Sequence, residues 1–395
     1  MTVIALPHHV RRHASVALGT CLLSFAAFWC AQRAAHVSMI DLTVYRAEGA
    51  TVRAGGDLYA LRTTEAHLPT TYPPFAALLF TPLTLLDPAA VRTLATAGNL
   101  ALLVAFVTLS LRLAGHARAK SVWWASAAAV WCEPVWTTLR YGQVNLLLGV
   151  LVLWDLSGRP VRRWAGAGIG IAAAVKLTPA LFAVFLLAAG LVEHARGGRG
   201  GSLLRHARGA AVAFTGATLL AAAVLPYDSW TFWSRMVFET GRVGLVEDTA
   251  NQSLRGVLAR LLHSAHPGLW WAAAAAGAGV LGVTVAVAAE LRGLRAWAVA
   301  ACAVTALLVS PVSWSHHWVW CVPMTLLLAT RGRASAVAAA AVFCSYALWW
   351  VPHGPGRLEL HQSGVQSALS ALYAGAGCAF LAALAVRLSR TSRNA

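Results

Sequence analysis

The chain has 395 residues, 58% of them hydrophobic and only 11% charged, where soluble domains carry roughly 25% charged residues. A net charge of +17 and a pI near 10.7 would suit a nucleic-acid binder, but the basic residues are scattered through short loops, with no groove-like cluster and no base-stacking platform. The composition is that of an integral membrane protein, and nucleic acid is excluded as a partner.

Apolar runs approaching the roughly 17 to 25 residues that cross a bilayer begin near Val16, Ala89, Ser121, Gln143, Trp164, Thr178, Gly209, Leu269, Trp297, Trp318, Ala334 and Gln366. They predict an all-α bundle of about 12 transmembrane helices in a single polytopic domain, 1–395. Arg11 and Arg12 precede the first run in the manner of a signal peptide. Gln32-Arg33 and then Asp41 follow without a small-x-small cleavage site, so the run is read as an uncleaved span. Cytoplasmic loops collect Lys and Arg. With the N-terminus inside, the inner side holds Arg11, Arg12, Arg112, Arg118, Lys120, Arg159, Arg162, Arg163, Arg196, Arg199, Arg205, Arg208, Arg292, Arg295, Arg331, Arg333, Arg387, Arg390 and Arg393. That is 19 basic residues against three acids (Asp155, Glu193 and Glu290), leaving 12 against 11 outside. Both termini are therefore expected in the cytoplasm and the segments 37–73 and 227–268 outside.

The first polar segment, "MIDLTVYRAEGATVRAGGDLYALRTTEAHLPTTYPPF", spans Met39 to Phe75. Asp41 lies at the membrane boundary, at the head of a stretch to Ala54 that is compatible with a short helix. A carboxylate there is either a helix cap or a general base for an acceptor hydroxyl. Tyr45 and Tyr72 flank it as candidate sugar contacts. Farther on, "LRYGQVN" carries Arg140, Gln143 and Asn145; a guanidinium can meet a phosphate, and amides both donate to and accept from sugar hydroxyls.

Lys176 in "AAAVKLTPALFAVF" is a charge in an apolar run, at a cost of about 2.5 to 3.5 kcal/mol on insertion scales. The Thr178-Pro179 pair beside it breaks the helix. Lys176 either snorkels to the interface or serves as a cation for phosphate. The basic Gly-rich loop 195–208 follows no strand and is a flexible connection facing acidic lipid, not a phosphate cradle. The second outer segment, 227–268, contains Asn251-Gln252-Ser253, a further set of amides. Late in the chain "SPVSWSHHW" holds His316-His317. Adjacent imidazoles diverge on a helix and make a poor metal pair, so one of them aimed at a phosphate or hydroxyl is the sounder expectation. The seven cysteines are single, with no CxxC spacing, and give neither a zinc site nor a disulfide framework. No internal repeat appears.

The stretches "DLTVYRAEG", "GGDLY", "YPPFAALLF", "YGQVN", "KLTP", "NQSLRG" and "SPVSWSHHW", in this order, resemble those of the polyprenyl-phosphate-mannose-dependent mannosyltransferases of actinobacteria, glycosyltransferase family 87. The resemblance implies a GT-C type helix bundle in the plasma membrane, with a catalytic loop and a juxtamembrane helix on the outer face. It also implies mannose transfer with inversion from polyprenyl-phosphate-mannose to a glycolipid or lipoglycan acceptor. Asp41 takes the place of the family's catalytic base, and His316 or His317 that of its late histidine. Lys176, Arg140 and one of the histidines are then candidates to stabilise the departing phosphate. Tyr45, Tyr72, Gln143, Asn145, Asn251 and Gln252 are candidates to hold sugar or acceptor. Membrane lipids are the surroundings, and neither a metal nor another cofactor is expected. A lipid-linked sugar transporter or flippase would show two related halves, which are absent. A transferase of polyprenyl-linked arabinose or glucose is the remaining alternative.

Overall fold

Helices account for nearly all regular structure in the computed structural model, which describes residues 8–158, 163–198 and 200–393. Arg159, Arg162 and Arg199, used above for orientation, lie outside the described residues. The chain opens with α1 (His8–Ala34) and α2 (Ile40–Ala54), then a small antiparallel hairpin of β1 (Arg62–Thr63) and β2 (Leu68–Pro69). The helices α3 (Pro74–Phe80), α4 (Pro88–Leu113), α5 (Ala119–Ala129), α6 (Glu133–Tyr141), α7 (Asn145–Leu156), α8 (Ala167–Val175) and α9 (Ala180–Ala195) follow. Next come α10 (Gly201–Val224), α11 (Pro226–Thr231), α12 (Leu254–Leu261) and α13 (Gly268–Leu291). The chain ends with α14 (Arg295–Val309), α15 (Cys321–Ala329), α16 (Arg333–Cys344), α17 (Gly364–Ser370) and α18 (Leu372–Arg393).

Among the described residues five segments are long and apolar enough to cross a membrane: Ala14–Ala34 in α1, α4, α10, α13, and Leu372–Arg390 in α18. The most apolar stretch of α10 is only 17% buried, with Leu219 and Leu220 turned outward. Such a face is stable only against lipid. Several other apolar runs break or end where the residues cannot continue a helix. The run from Ser121 breaks at Cys132 into α5 and α6, where Pro134 lacks an N–H, while the runs from Trp164 and Thr178 form α8 and α9, parted at Lys176–Pro179. The run from Trp297 stops at Ser310-Pro311, and a 3-10 turn, Ser315–Trp320, precedes α15.

Tight pairs organise the bundle: α13 lies along α14, α10 along α8 and α9, α1 along α5, and α4 along α7. One continuous apolar core runs through them, with Leu103, Phe106, Leu146 and Phe185 fully buried. Beside it α2 is amphipathic, burying Leu42, Tyr45 and Gly49 on one stripe. The breaks at Lys176–Pro179 and at Ser310-Pro311 and the head of α2 converge on one cavity.

Candidate active site

The cavity has a volume of about 840 Å³, toward the upper end of the roughly 300–1,000 Å³ that encloses a drug-sized ligand. Asp41, Tyr45, Tyr72, Gln143, Lys176, His316 and His317 all line it.

Asp41 stands in the first turn of α2, just after Met39, a non-glycine residue held in the left-handed region at φ 52°. Such backbone costs on the order of 1–3 kcal/mol and persists only where packing enforces it; here the Met39 side chain is buried in the core. Gln143 Nε2 donates to Asp41 Oδ2 at 2.8 Å. The amide is oriented by two phenols, since Tyr45 and Tyr72 both donate to Gln143 Oε1, at 2.7 and 3.1 Å, and their hydroxyls meet at 2.9 Å. Among the described residues no hydrogen bond reaches Asp41 Oδ1, which is left for a ligand. Gly142 makes this approach possible. At φ 69° it occupies the left-handed region, and a Cβ there would come within 2.7 Å of Leu42 Cβ, next to Asp41.

Burial pushes the Asp41 carboxyl up to about 6, although the Gln143 hydrogen bond and the Lys176 charge pull the other way. It is thus ionised at neutral pH and still basic enough to take a proton. Two turns along α2 the wholly buried Glu48 is pushed up to about 8 by burial, with Thr70 and the Arg242 guanidinium opposing. Arg242 in turn donates to the carbonyls of Thr70 and Thr71 and lies over the Tyr59 ring, tying the 227–268 segment to the hairpin.

A second group of lining residues carries nitrogen donors. Lys176 follows α8 in extended backbone (φ −150°, ψ 126°). Its Nζ is 3.2 Å from Asn145 Oδ1, 2.8 Å from His317 Nε2 and 5.4 Å from the centre of the Tyr72 ring. His317 Nδ1 accepts the Trp314 N–H at 3.2 Å, so a neutral ring carries its proton on Nε2, facing the amine. This Nε2–H can be accepted only by an uncharged Lys176 amine; once Lys176 is an ammonium both groups are donors, and both are free to turn to an arriving anion. The His316 ring stands nearly perpendicular to that of His317, with centroids 4.7 Å apart. Its Nε2 has no partner among the described residues, while its carbonyl accepts from Thr138 and Asn145.

Four sequence candidates do not line the cavity: Asn145, whose amide is committed to Lys176 and to the His316 carbonyl and so is not free for a sugar, and three others. Arg140 is exposed on α6 and does not line the cavity; Leu139 and Val135 take the buried face of that short helix. Asn251 and Gln252 are completely buried and belong to the scaffold. Asn251 bridges to Trp314 and accepts the Ser313 N–H, while Gln252 donates to the carbonyls of Thr249 and Ser370. Their amides hold the histidine turn in place and have little left for a sugar.

Four contributors were missing from the sequence reading. Glu133, fully buried, accepts from Thr137, Ser315, Trp349 and Tyr373, four donors from four parts of the chain. Arg260, 1% exposed, spends its guanidinium on the carbonyls of Glu247, Asp248, Asn251 and Ser370 and on the Ser370 hydroxyl. Trp349 and Glu359 bring a third segment, 345–363, to the cavity wall.

A model of glycosyltransferase family 87 matches residues 71–311, a segment that holds Lys176 and the 143–145 amides and stops short of Asp41 and the histidine pair. A polyprenol-phosphate-mannose-dependent alpha-(1-2)-phosphatidylinositol pentamannoside mannosyltransferase of Mycobacterium tuberculosis is 34% identical over 303 residues, covering 74% of this chain and 66% of that protein. A polyprenol-phosphate-mannose-dependent alpha-(1-2)-phosphatidylinositol mannoside mannosyltransferase from a second strain is 32% identical over 345 residues, covering 79% of this chain and 76% of the relative. Among solved structures, ArnT from Cupriavidus metallidurans bound to undecaprenyl phosphate covers 97% of this chain and 78% of its own, at 15% identity and a TM-score of 0.42, too loose a likeness to define the fold.

Proposed function

The chain belongs to glycosyltransferase family 87, and from that premise we propose that it is an inverting α-mannosyltransferase. It moves mannose from polyprenyl-phosphate-mannose to a hydroxyl of a glycolipid or lipoglycan, forming an α-1,2 bond as the names of its relatives suggest. The observation that carries this reading is a single cavity walled on one side by a carboxylate with one uncommitted oxygen and on the other by a lysine–imidazole pair.

The chemistry is one displacement. Asp41 Oδ1 takes the proton of the acceptor hydroxyl, and that oxygen attacks the anomeric carbon of a β-mannosyl phosphate from the face opposite the phosphate. The bond between anomeric carbon and phosphate oxygen breaks, and its electron pair leaves on polyprenyl phosphate. Lys176, with the Nε2–H of His317, stabilises the charge gathering on that oxygen, in the way preorganised donors stabilise an oxyanion. Asn145 holds the lysine in place, and Tyr72 connects the two walls by donating to Gln143 while its ring faces Lys176. Arg140, exposed and away from the cavity, has no part in this. A small apolar recess of about 40 Å³, lined by Leu148, Val152, Phe182 and Leu307, adjoins Lys176 and has room only for a water-sized group.

Purified protein in lipid nanodiscs, supplied with labelled polyprenyl-phosphate-mannose and a phosphatidylinositol mannoside, should release polyprenyl phosphate and yield an α-1,2-linked product. Absence of transfer with every mannosylated acceptor would sink the reading. In the intact cell the cavity is placed on the outer face of the plasma membrane with both termini inside. A cysteine at Thr64 should then react with a membrane-impermeant thiol reagent and one at Gly198 should not; labelling in the reverse order contradicts this orientation.

A further inference from the structure

The cavity is lined also by Tyr141 and Trp314, which adjoin the histidine pair, and by Asp248, Trp349, His353 and Glu359, which the proposed transfer does not use. Glu359 is 3% exposed. Its Oε1 accepts the Gly354 N–H at 3.1 Å, and its Oε2 is buried with no partner among the described residues. A buried carboxylate oxygen without a donor is costly and rare, and calls for one. Asp248 is half occupied, since Oδ1 caps the Ala250 N–H at 2.7 Å. Trp314 and Trp349 are half-buried, and Trp349 is fixed through its Nε1–H on Glu133 and by the His353 ring at 5.5 Å.

The segment that carries Trp349, His353 and Glu359 is pinned in several places. Arg357 pairs with Glu247 at 3.1 Å, His263 Nδ1 lies 2.8 Å from the Leu360 carbonyl, and Gln362 donates to the Pro352 carbonyl. It is a preformed wall that needs no ligand to order it.

We propose that this wall is a second sugar subsite, binding the residue of the acceptor glycan next to the one that is mannosylated, with Glu359 as its specificity-determining residue. The inference rests on the transferase reading and adds that the preferred acceptor carries at least two sugar units. Carboxylates accept from hydroxyls in short, charge-assisted hydrogen bonds, and indole faces pack on the apolar face of a sugar ring. Two carboxylates repel an anionic headgroup, which turns the lipid phosphates toward Lys176. No group of three or more His, Cys, Asp or Glu side chains among the described residues is placed to hold a metal ion, so a neutral polyol fits the wall better than a cation. The cavity volume also exceeds what one transferred sugar needs.

The test is equilibrium binding without donor, in phospholipid nanodiscs, of octyl α-dimannoside and octyl α-mannoside. The wild-type protein is expected to bind the dimannoside at least tenfold more tightly. Glu359→Gln keeps the oxygen that accepts from Gly354 and replaces the unpartnered one by an amide NH2, so it should collapse that ratio toward one. Asp248→Asn, which can still cap Ala250, should lower it in the same direction. Equal wild-type affinity for the two glycosides overturns the proposal, as does an unchanged ratio in Glu359→Gln. Tighter binding of octyl glucosaminide, whose protonated amine would pair with the two carboxylates, also overturns the assignment to a neutral polyol. Because no donor is present, failure of mannose transfer would count against the proposed function while this ratio still decides the subsite.

Discussion

The two walls of the cavity are built by different means. Asp41 sits on a continuous amphipathic helix and is held by neutral groups alone, one amide backed by two phenols. Lys176 sits where a helix is interrupted, in extended backbone, and is held by an amide and an imidazole. The amides that serve the two walls lie two residues apart, Gln143 in the turn joining α6 to α7 and Asn145 at the first position of α7. A base needs to stay unpaired so that it can take a proton, whereas a phosphate site needs mobile donors that answer to an incoming charge. One short stretch sets both, which is why an exchange of polar groups within it should disturb acid–base chemistry and donor binding separately.

The contrast is tested most severely at Asp41. Asp41→Asn preserves size and can still accept a hydrogen bond in the cavity, so a merely structural role would survive it. A general base would not, and transfer should fall by roughly 10²–10⁴, or about 3 to 5 kcal/mol of barrier, with donor affinity unchanged. Single-turnover transfer beside a donor-binding assay measures both. Activity within a few-fold of wild type would move the base elsewhere on α2.

A smaller and differently distributed loss belongs to the other wall. Lys176→Met should cost on the order of 10²-fold, as removal of one preorganised donor does, and should impair donor use more than acceptor use, because the ammonium meets the donor phosphate in ground and transition states alike. An unaltered donor KM and rate in a folded variant would return Lys176 to the role of a snorkelling side chain.

The pH profile separates the walls without removing either. A base must be unprotonated, so log kcat/KM should rise with pH and level off above about 6, the value to which burial raises the Asp41 carboxyl. The Gln143 hydrogen bond favours the charged form, and Gln143→Leu should therefore move that limb to higher pH. A limb unmoved in Gln143→Leu would mean that another group titrates.

What the sequence revealed about these walls follows the cost of polar groups in a membrane. Lys176 was legible because a charge in an apolar run needs a partner, and Asp41 because it opens a polar segment directly after a span. Glu133, in "WCEPVW", gives the same signal as Lys176; it is the carboxylate that fastens Ser315 of the histidine turn to Trp349 and Tyr373. The amides of Asn251 and Gln252 looked like those of Gln143 and Asn145, since a side chain that recognises a sugar and one that ties two loops have the same donors and acceptors. Arg140 was misplaced because a nine-residue helix offers too few turns to tell which face is covered. Glu359 was not legible at all. It lies in the Gly/Pro-rich stretch "VPHGPGRLEL", whose course depends on contacts with residues about 100 positions away, Glu247 and His263 among them. The helical membrane character is evident from composition, while the run from Ser121 is divided at Cys132-Pro134, and among the described residues five segments meet the length and hydropathy of a span by themselves.

The smallest expected effect concerns the phenols behind Gln143. Tyr45→Phe removes a hydroxyl 2.7 Å from Gln143 Oε1 but keeps the ring, which stacks on Phe80 at 4.3 Å between centroids. Tyr72 already donates to the same oxygen at 3.1 Å, and with its neighbour gone it can give that bond undivided. One neutral hydrogen bond is worth about 0.5–1.5 kcal/mol net, so the loss in transfer should not exceed about tenfold. The acid limb should stay near that of wild type, because Tyr45 reaches Asp41 only through Gln143. Tyr45→Phe together with Tyr72→Phe leaves the amide free to turn, presenting oxygen to the carboxylate in place of nitrogen, and should approach the behaviour of Gln143→Leu, with the limb moved to higher pH. If Tyr45→Phe alone matched Asp41→Asn in severity, its hydroxyl would be a participant in proton transfer, and the carboxylate wall would consist of reacting groups and not of one base with its supports.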